Sequence, residues 1–289
     1  MRKVSSIVLL FLLIAMAVLA VTVPSSVESK TTAVAGLSIG LIVLSLVGER
    51  FKPFRRSWNT NRGDIVGDIG SFVGIFGVLD SALKLLTPLI AIAVFGDLLT
   101  SQSWVSLPVE VLMVTLLIEL GAWVVHWLHH TQSTLWKLHA MHHSPERLYT
   151  LNNFRFHPLN HILNTVAIVF VPLLLGFSEE SILMYTAIST PVLVLQHSNI
   201  DLEFGLLNRL VNTNEVHRWH HSTEAGHERC NLGRALTIWD QIFGTFVTPS
   251  PAGAPDRIGL TEHSKRHVPP VEEPLAQLLY PFQSNGANQ

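Results

Sequence analysis

Six apolar runs, at 4–23, 31–48, within 66–98, 105–125, 162–177 and 181–197, dominate the 289-residue chain. A helix needs about 20 apolar residues to cross the hydrocarbon core of a bilayer, where its backbone polar groups must be satisfied internally. Runs of this kind predict an all-α fold: an integral membrane helical bundle of about four to six spans. Composition agrees. The chain is 48% hydrophobic and only 14% charged, where a soluble domain carries about 25% charge. A net charge of -2 gives no basis for nucleic-acid binding. The run within 66–98 is the least regular, because Asp80 and Lys84 interrupt it. It reads as an interfacial piece followed by a short span from Leu85 to Leu98. The first run follows Arg2 and Lys3 as a signal peptide would, but it is longer than a signal's apolar core and a second run follows closely, so it reads as a membrane helix.

Basic residues near helix ends orient such a bundle. Arg2 and Lys3 precede the first run, and Arg50, Lys52, Arg55, Arg56 and Arg62 follow the second. Two passes return the chain to its starting side, so both clusters mark the cytoplasm. Two further passes end at His126 on that side, and the hairpin 162–197 leaves and returns with His197 at its exit.

Three histidine trios fall in these returning segments: His126/His129/His130, His139/His142/His143 and His217/His220/His221. On a helix, positions i, i+3 and i+4 lie on one face, so each trio aims imidazoles in one direction. Neutral imidazole suits iron, zinc, copper or nickel, and three arrays exceed what one tetrahedral zinc needs. The spacing points to a metal centre holding two ions in a cytoplasmic, histidine-rich helical cap. Cysteine contributes nothing comparable: Cys230 stands alone, which excludes an internal disulfide or a four-cysteine cluster.

The stretches HWLHH (126–130), LWKLHAMHHS (135–144) and VHRWHHS (216–222) resemble the three histidine boxes of the fatty acid hydroxylase/sterol desaturase superfamily. FRFHPLNH (154–161), LQHSNI (195–200) and WDQIFGTF (239–246) are similar to that family's flanking segments, and the resemblance covers roughly 120–247. It implies a membrane-embedded, non-haem di-iron enzyme that uses O₂ and two electrons to hydroxylate or desaturate a lipid C–H bond. By this resemblance the metal ligands are His126, His130, His139, His142, His143, His197, His217, His220 and His221. His129 falls where the family has arginine or another non-ligand, and is left out. One departure is Glu228-Arg229-Cys230-Asn231-Leu232-Gly233, where the family's acid lies one residue closer to the asparagine and an aromatic replaces Leu232; it touches the lid over the site rather than the metal centre.

The organisation that follows is an N-terminal membrane region (1–119), a catalytic region (120–248) and a polar, proline-rich tail (249–289). The tail, with Pro249, Pro251, Pro255, Pro269, Pro270 and Pro274, reads as an extended wrap ending in a disordered stub after Gln283. Carboxylates near the boxes that could accept a ligand's second ring N–H are Glu146, Glu215, Glu224, Glu228 and Asp240, with Asp240 favoured. His157 is either a pocket residue or a cap before Pro158, and His161 reads as structural. Electrons must come from a separate donor of the cytochrome b5, ferredoxin or rubredoxin kind, for which Arg209, Arg218, Arg229 and Arg234 offer a basic docking face. The competing readings are a membrane zinc hydrolase, which would want a glutamate base among the histidines, and a metal transporter, which would place ligands at the membrane midplane.

Overall fold

The computed structural model describes residues 2–23, 26–96, 105–224, 226–227, 229–249 and 255–283. Among them every regular element is helical, and extended pairing is limited to isolated bridges such as Pro53 with Ile200. The bundle is built from α1 (Arg2–Thr22), α2 (Val27–Phe51) and α3 (Ile65–Ser71), which continues through a π-helical stretch (Phe72–Leu79) into α4 (Asp80–Phe95). It is completed by α5 (Leu107–Thr131), by α7 (Pro158–Thr165) with its π-helical continuation into α8 (Val171–Leu174), and by α9 (Glu179–Gln196). Four of these helices are long and apolar enough to cross a membrane: Lys3–Thr22, Val27–Phe51, Ile65–Thr87 and Leu107–Thr131. The segment read as an interfacial piece with a separate short span is instead one continuous helical path to Phe95, while Leu98 lies outside the described residues. Asp80 does not break it, because the carboxylate meets His161 Nε2 on α7 at 3.2 Å.

One helix organises the bundle. Helix α9 begins at Ser178, whose hydroxyl caps the Ser181 amide, and it packs against α1, α2 and α5. Ala17 on α1 and Ala187 on α9 are both wholly buried in one cluster with Val21 and Val34. Small residues of this kind let helix backbones approach closely in lipid, where apolar burial alone gives no drive to associate. Leu12, Leu44 and Leu112 stay exposed on the outer surfaces of α1, α2 and α5.

Contacts at the two ends fix the path of the chain. At one end, Lys3 pairs with Glu203 at 3.2 Å and Glu49 accepts the amides of Thr150 and Asn199 at 2.7 and 2.9 Å. At the other, Lys30 meets Glu180 and Glu110 accepts the Ser178 amide at 2.6 Å. Thus α1 starts, α2 ends, α5 ends and α9 ends at the first of these faces, and all three histidine trios lie there.

Above that face sit α6 (Ser133–His143), α10 (Asn214–His220), α11 (Ile238–Phe243), α12 (Glu262–Lys265) and α13 (Pro274–Leu279). They are held to the bundle by buried charge. Arg147 forks onto Asp64 at 2.6 and 2.7 Å, and its guanidinium lies 4.0 Å from the Tyr149 ring. Arg155 contacts Asp68 at 2.9 Å, and Tyr149 donates to the same carboxylate at 2.6 Å. Gly67 makes room for this: a Cβ there would stand 2.4 Å from Arg155 Nη1. The tail departs from the expected extended wrap. It forms α12 and α13, buries Gln277, and packs Leu260 and Val268 against Ala140 of α6, because Gln277 Oε1 accepts from Arg155 Nη2 at 2.8 Å. The expected stub after Gln283 lies outside the described residues.

Removing one partner of a buried ion pair leaves the other charge uncompensated, at a cost of about 3–5 kcal/mol. Arg147→Met should therefore lower the unfolding midpoint of the detergent-solubilised protein strongly, whereas the double change Arg147→Met/Asp64→Leu should recover most of the loss. Equal loss in the single and double variants would contradict this account.

Candidate metal centre

A single extended residue creates the first half of the site. Gln132, at φ -105° and ψ 119°, ends α5 and starts α6, with its N–H on the Leu128 carbonyl. The chain folds back there, so His139 Nε2 comes to 3.1 Å from His126 Nε2. The second half forms where α9 ends at His197 and α10 begins at the Thr213 cap, which places His197 Nε2 3.0 Å from His217 Nε2.

All nine histidines singled out from the sequence as ligands converge, and they do so as two groups. His126, His130, His139, His143 and His220 form a group of five; His142, His197, His217 and His221 form a group of four. Within each group one ring nitrogen per residue lies within 4.8 Å of all the others. The second and third boxes divide in the same manner. Their i and i+4 members, His139/His143 and His217/His221, stay together with ring centroids 4.9 Å apart in both pairs. Their i+3 members, His142 and His220, cross to the opposite group. The groups touch, since the His143 and His221 rings stack at 4.4 Å.

Hydrogen bonds at the far side of each ring decide which nitrogen faces inward. His126 Nδ1 lies 2.8 Å from the Leu232 carbonyl, His220 Nδ1 2.8 Å from the Cys230 carbonyl and His142 Nδ1 3.3 Å from the Arg155 carbonyl. A carbonyl only accepts, so each Nδ1 carries the proton and each Nε2 a lone pair. His139 and His197 are fixed likewise by the amide oxygens of Asn160 and Asn152, at 2.8 and 2.9 Å. His126 Nε2 and His139 Nε2 therefore face each other as two lone pairs, which repel unless a cation lies between them. The Nε2 atoms of His130 and His220 are buried with no hydrogen-bond partner. Buried acceptors without donors are costly, and converging imidazole lone pairs are the donor set of a transition metal. The residues fit a two-ion metal centre.

The supporting groups differ from those expected. None of the described carboxylates touches a ring of the two groups. Glu146 pairs with Lys265 at 2.6 Å, Glu215 accepts the Phe204 amide at 2.6 Å, and Glu224 lies 3.8 Å from His227. Glu228 lies outside the described residues. Asp240 acts one bond further out. It accepts the amides of Leu232 and Gly233, both at 2.8 Å, and the Trp123 indole N–H at 3.1 Å, and so sets the carbonyl that holds His126. Gly233 is required there: a Cβ would stand 2.1 Å from the Leu236 carbonyl oxygen and 2.8 Å from Asp240 Oδ2. Asn231 adopts φ 52° and bridges Val216 and Val247, which carries the loop across the third box.

His129 lies outside both groups, with Nδ1 on the Val125 carbonyl at 2.7 Å. His157 caps α7 through Nδ1 and donates from Nε2 to the Leu278 carbonyl at 3.1 Å, so it is a structural cap. The basic face also needs correction. Arg218 is buried, stacked 3.8 Å from the Phe54 ring, and Arg234 donates to Tyr185 at 2.7 Å. Arg209 and Arg229 remain exposed. The residues that sequence reasoning missed are Asn152, Asn160 and the Arg155 carbonyl. Their only signal was position, in the FRFHPLNH segment and just before it.

A membrane helical bundle with an all-histidine centre at one end defines a class, and comparison with known proteins gives the family. The family model for fatty acid hydroxylase matches residues 111–245. The ornithine lipid hydroxylase OlsE of Rhizobium tropici is 30% identical over 259 residues, covering 87% of this chain and 76% of that protein. The chain belongs to the fatty acid hydroxylase superfamily. No solved structure matches it.

Burial holds the cap histidines neutral. It pushes His142 down to about 3, since a proton there would also meet any proton taken up by His126, and holds His139, His143, His197, His217, His220 and His221 well below the ordinary 6.5. As pH falls from about 6.5 toward 3, the unfolded chain takes up protons that these folded residues refuse, so stability drops through that window. The chelator-treated protein should lose thermal stability steeply between pH 7 and pH 5 (values set by the ordinary histidine range, about 6.5); a flat profile would sink this reading. Asp240→Ala should leave two buried amides unsatisfied, at about 1–3 kcal/mol each, and speed loss of bound metal to a chelator. Unchanged release would show that the Leu232 carbonyl is held by other means.

Proposed function

We propose that this protein is a membrane-bound di-iron oxidoreductase that hydroxylates a lipid, using O₂ and electrons from a separate donor. The observation that carries the reading is the pair of all-histidine groups with inward lone pairs, in a chain of the fatty acid hydroxylase superfamily. His126, His130, His139, His143 and His220 would hold one iron; His142, His197, His217 and His221 would hold the other. When bound, the irons would supply activation of O₂ and removal of hydrogen from an unactivated C–H bond, chemistry that needs a metal with accessible redox states and open positions.

The chain's own residues do the rest. The carbonyls of Leu232, Cys230 and Arg155 and the amides of Asn152 and Asn160 hold five rings in the Nδ1–H tautomer. Fixing ring orientation in this way raises ligand basicity and keeps the imidazoles from turning away. Seven of the nine rings are buried and the other two half-buried, which limits their contact with bulk water. The groups sit at the ends of α5 and α9, so a lipid entering sideways between the helices would bring its reacting carbon to the face where the trios lie. Arg50, Lys52, Arg55, Arg56 and Arg62 flank that same face, which supports its placement in the cytoplasm. Of Arg209, Arg218, Arg229 and Arg234, the exposed Arg209 and Arg229 are the ones that an acidic electron donor of the cytochrome b5, ferredoxin or rubredoxin kind would meet.

A zinc hydrolase is not favoured, because both groups consist of histidine alone among the described residues. A transporter is not favoured either, since the ligands lie at one end of the bundle. The OlsE relative makes ornithine lipids the first substrates to test.

Purified protein should hold about two irons per chain, given two separate donor sets. His142→Ala, which touches only the group of four, and His220→Ala, which touches only the group of five, should each bring iron down toward one while abolishing turnover. Lipids from cells carrying the wild-type chain should gain one oxygen, and those from cells carrying His142→Ala should not. Loss of two hydrogens instead would assign a desaturase, and a single zinc with no oxygen gain would overturn the proposal.

A further inference from the structure

The tail carries an apolar face that neither the bundle nor the cap covers. Over the last described turns, Leu275, Leu279 and Phe282 are 74%, 61% and 67% exposed. Their spacing of i, i+4 and i+7 places them on one side of α13 and the 3₁₀ turn (Tyr280–Phe282) that follows it. Gln277, on the opposite side, is 1% exposed and bonded to Arg155. The segment is amphipathic, with its polar anchor inward and its apolar stripe outward, the reverse of a helix on a water-facing surface.

Its position says what that stripe meets. His157, the cap of α7, donates to the Leu278 carbonyl at 3.1 Å and has its ring 5.9 Å from that of Phe282. Directly after this cap, α7 and its continuation expose Leu159, Leu163 and Val166, again at i, i+4 and i+7. The exposed stripe of the tail thus adjoins, through His157, the outer surface of an apolar bundle helix where that helix enters the cap. Tyr280 and Lys137 complete an interfacial pattern: the Lys137 ammonium lies 5.5 Å from the Tyr280 ring and donates to the Gln283 carbonyl at 3.1 Å. Aromatic rings and long cations concentrate at this depth because each has an apolar body and a polar end.

We propose that Pro274–Phe282 is a membrane-surface element, whose Leu275, Leu279 and Phe282 side chains enter the headgroup–acyl boundary of the bilayer on the histidine side. An in-plane amphipathic segment buries its apolar face about 5–10 Å into that boundary. The contact clamps the tail from outside while Gln277 clamps it from inside. Because Gln277 holds Arg155, whose carbonyl orients His142, the bilayer contact keeps in place one support of the group of four. The inference rests on the reading of the bundle helices as membrane spans, and goes beyond it.

The lone cysteine makes a direct test practical. Cys230 is 2% exposed, so a polarity-sensitive maleimide probe should leave the wild type nearly unlabelled and mark an introduced cysteine. Full-length Leu279→Cys and Leu275→Cys proteins would be labelled and placed in phosphatidylcholine/phosphatidylglycerol vesicles containing doxyl-labelled phosphatidylcholine. Glu262→Cys, on α12, serves as the exposed reference, and Leu112→Cys, within α5, as the span reference. Probes at 275 and 279 should be blue-shifted and lose most of their emission to shallow doxyl groups, while the probe at 262 keeps its own. Emission at 275 and 279 no more quenched than at 262 would overturn the inference, provided the probe at 112 is quenched by deep doxyl groups. An unquenched probe at 112 would instead overturn the membrane reading beneath it. Efficient cross-linking of Leu279→Cys between two copies, without lipid quenching, would assign the stripe to a dimer contact and also overturn the inference.

Discussion

Nine imidazoles can share one buried volume only if none is charged. Each protonation would place a cation in a poorly solvated space beside other histidines, and burial drives His142 down to about 3 for that reason. Neutrality creates the opposite difficulty, because every ring then carries one lone-pair nitrogen that needs a partner. The surrounding structure resolves half of this by taking the Nδ1 protons outward, onto the carbonyls of Leu232, Cys230 and Arg155 and onto Asn152 and Asn160. The other half, the inward lone pairs, is what makes the centre a receptor for cations. Much of the cap follows from this requirement. Asp240 fixes the Leu232 loop, Asn231 turns it, and the buried Arg155 presents its carbonyl because Asp68 and Gln277 hold its guanidinium.

The bundle was legible in the chain because its cause is local. Apolar length dictates helices, and the six predicted runs correspond to observed helical paths, with α2 starting at Val27 instead of residue 31 and α5 running on to Thr131. What local composition could not show was how charges inside those runs are answered. Asp80 looked like a break, yet its partner His161 stands 81 positions away in a helix of different register. Glu119, wholly buried in α5, likewise accepts from Tyr185 at 2.6 Å and from the Leu236 amide at 2.9 Å. Such pairings depend on tertiary packing, so the sequence shows only one half of each.

The candidate ligands were legible for a different reason, since periodic spacing on a helix is a geometric statement. Its limit lies in the treatment of each trio as one array with one direction. Residues i and i+4 are separated by about 40° around a helix and i+3 by about 60° in the opposite sense, given 3.6 residues per turn. A helix running between two neighbouring centres can therefore serve both, and α6 and α10 do so with His142 and His220. The supporting groups were less legible: acids near the boxes stand out in a sequence, whereas the structure uses backbone carbonyls and side-chain amides, which do not. A neutral acceptor has a physical advantage here: a buried carboxylate would need its own compensation, and the nearby Arg147 and Arg155 are already engaged with Asp64 and Asp68.

The crossing of the boxes also bears on why the cap must be rigid. Helices α6 and α10 each contribute to both groups, so neither group can be displaced without the other. The five-histidine group draws on α5, α6 and α10, and the four-histidine group on α6, the end of α9 and α10. The two shared helices thus couple the end of α5 to the end of α9, which α1 and α2 brace from the outside. A centre built on one helix would inherit that helix's motion in the bilayer. This one is held by four, and the buried Arg147–Asp64 and Arg155–Asp68 pairs pin the connection between α6 and α7 to the start of α3. The charges buried beneath the cap thus serve the same end as the carbonyls around the rings, which is to fix the positions from which neutral imidazoles face one another.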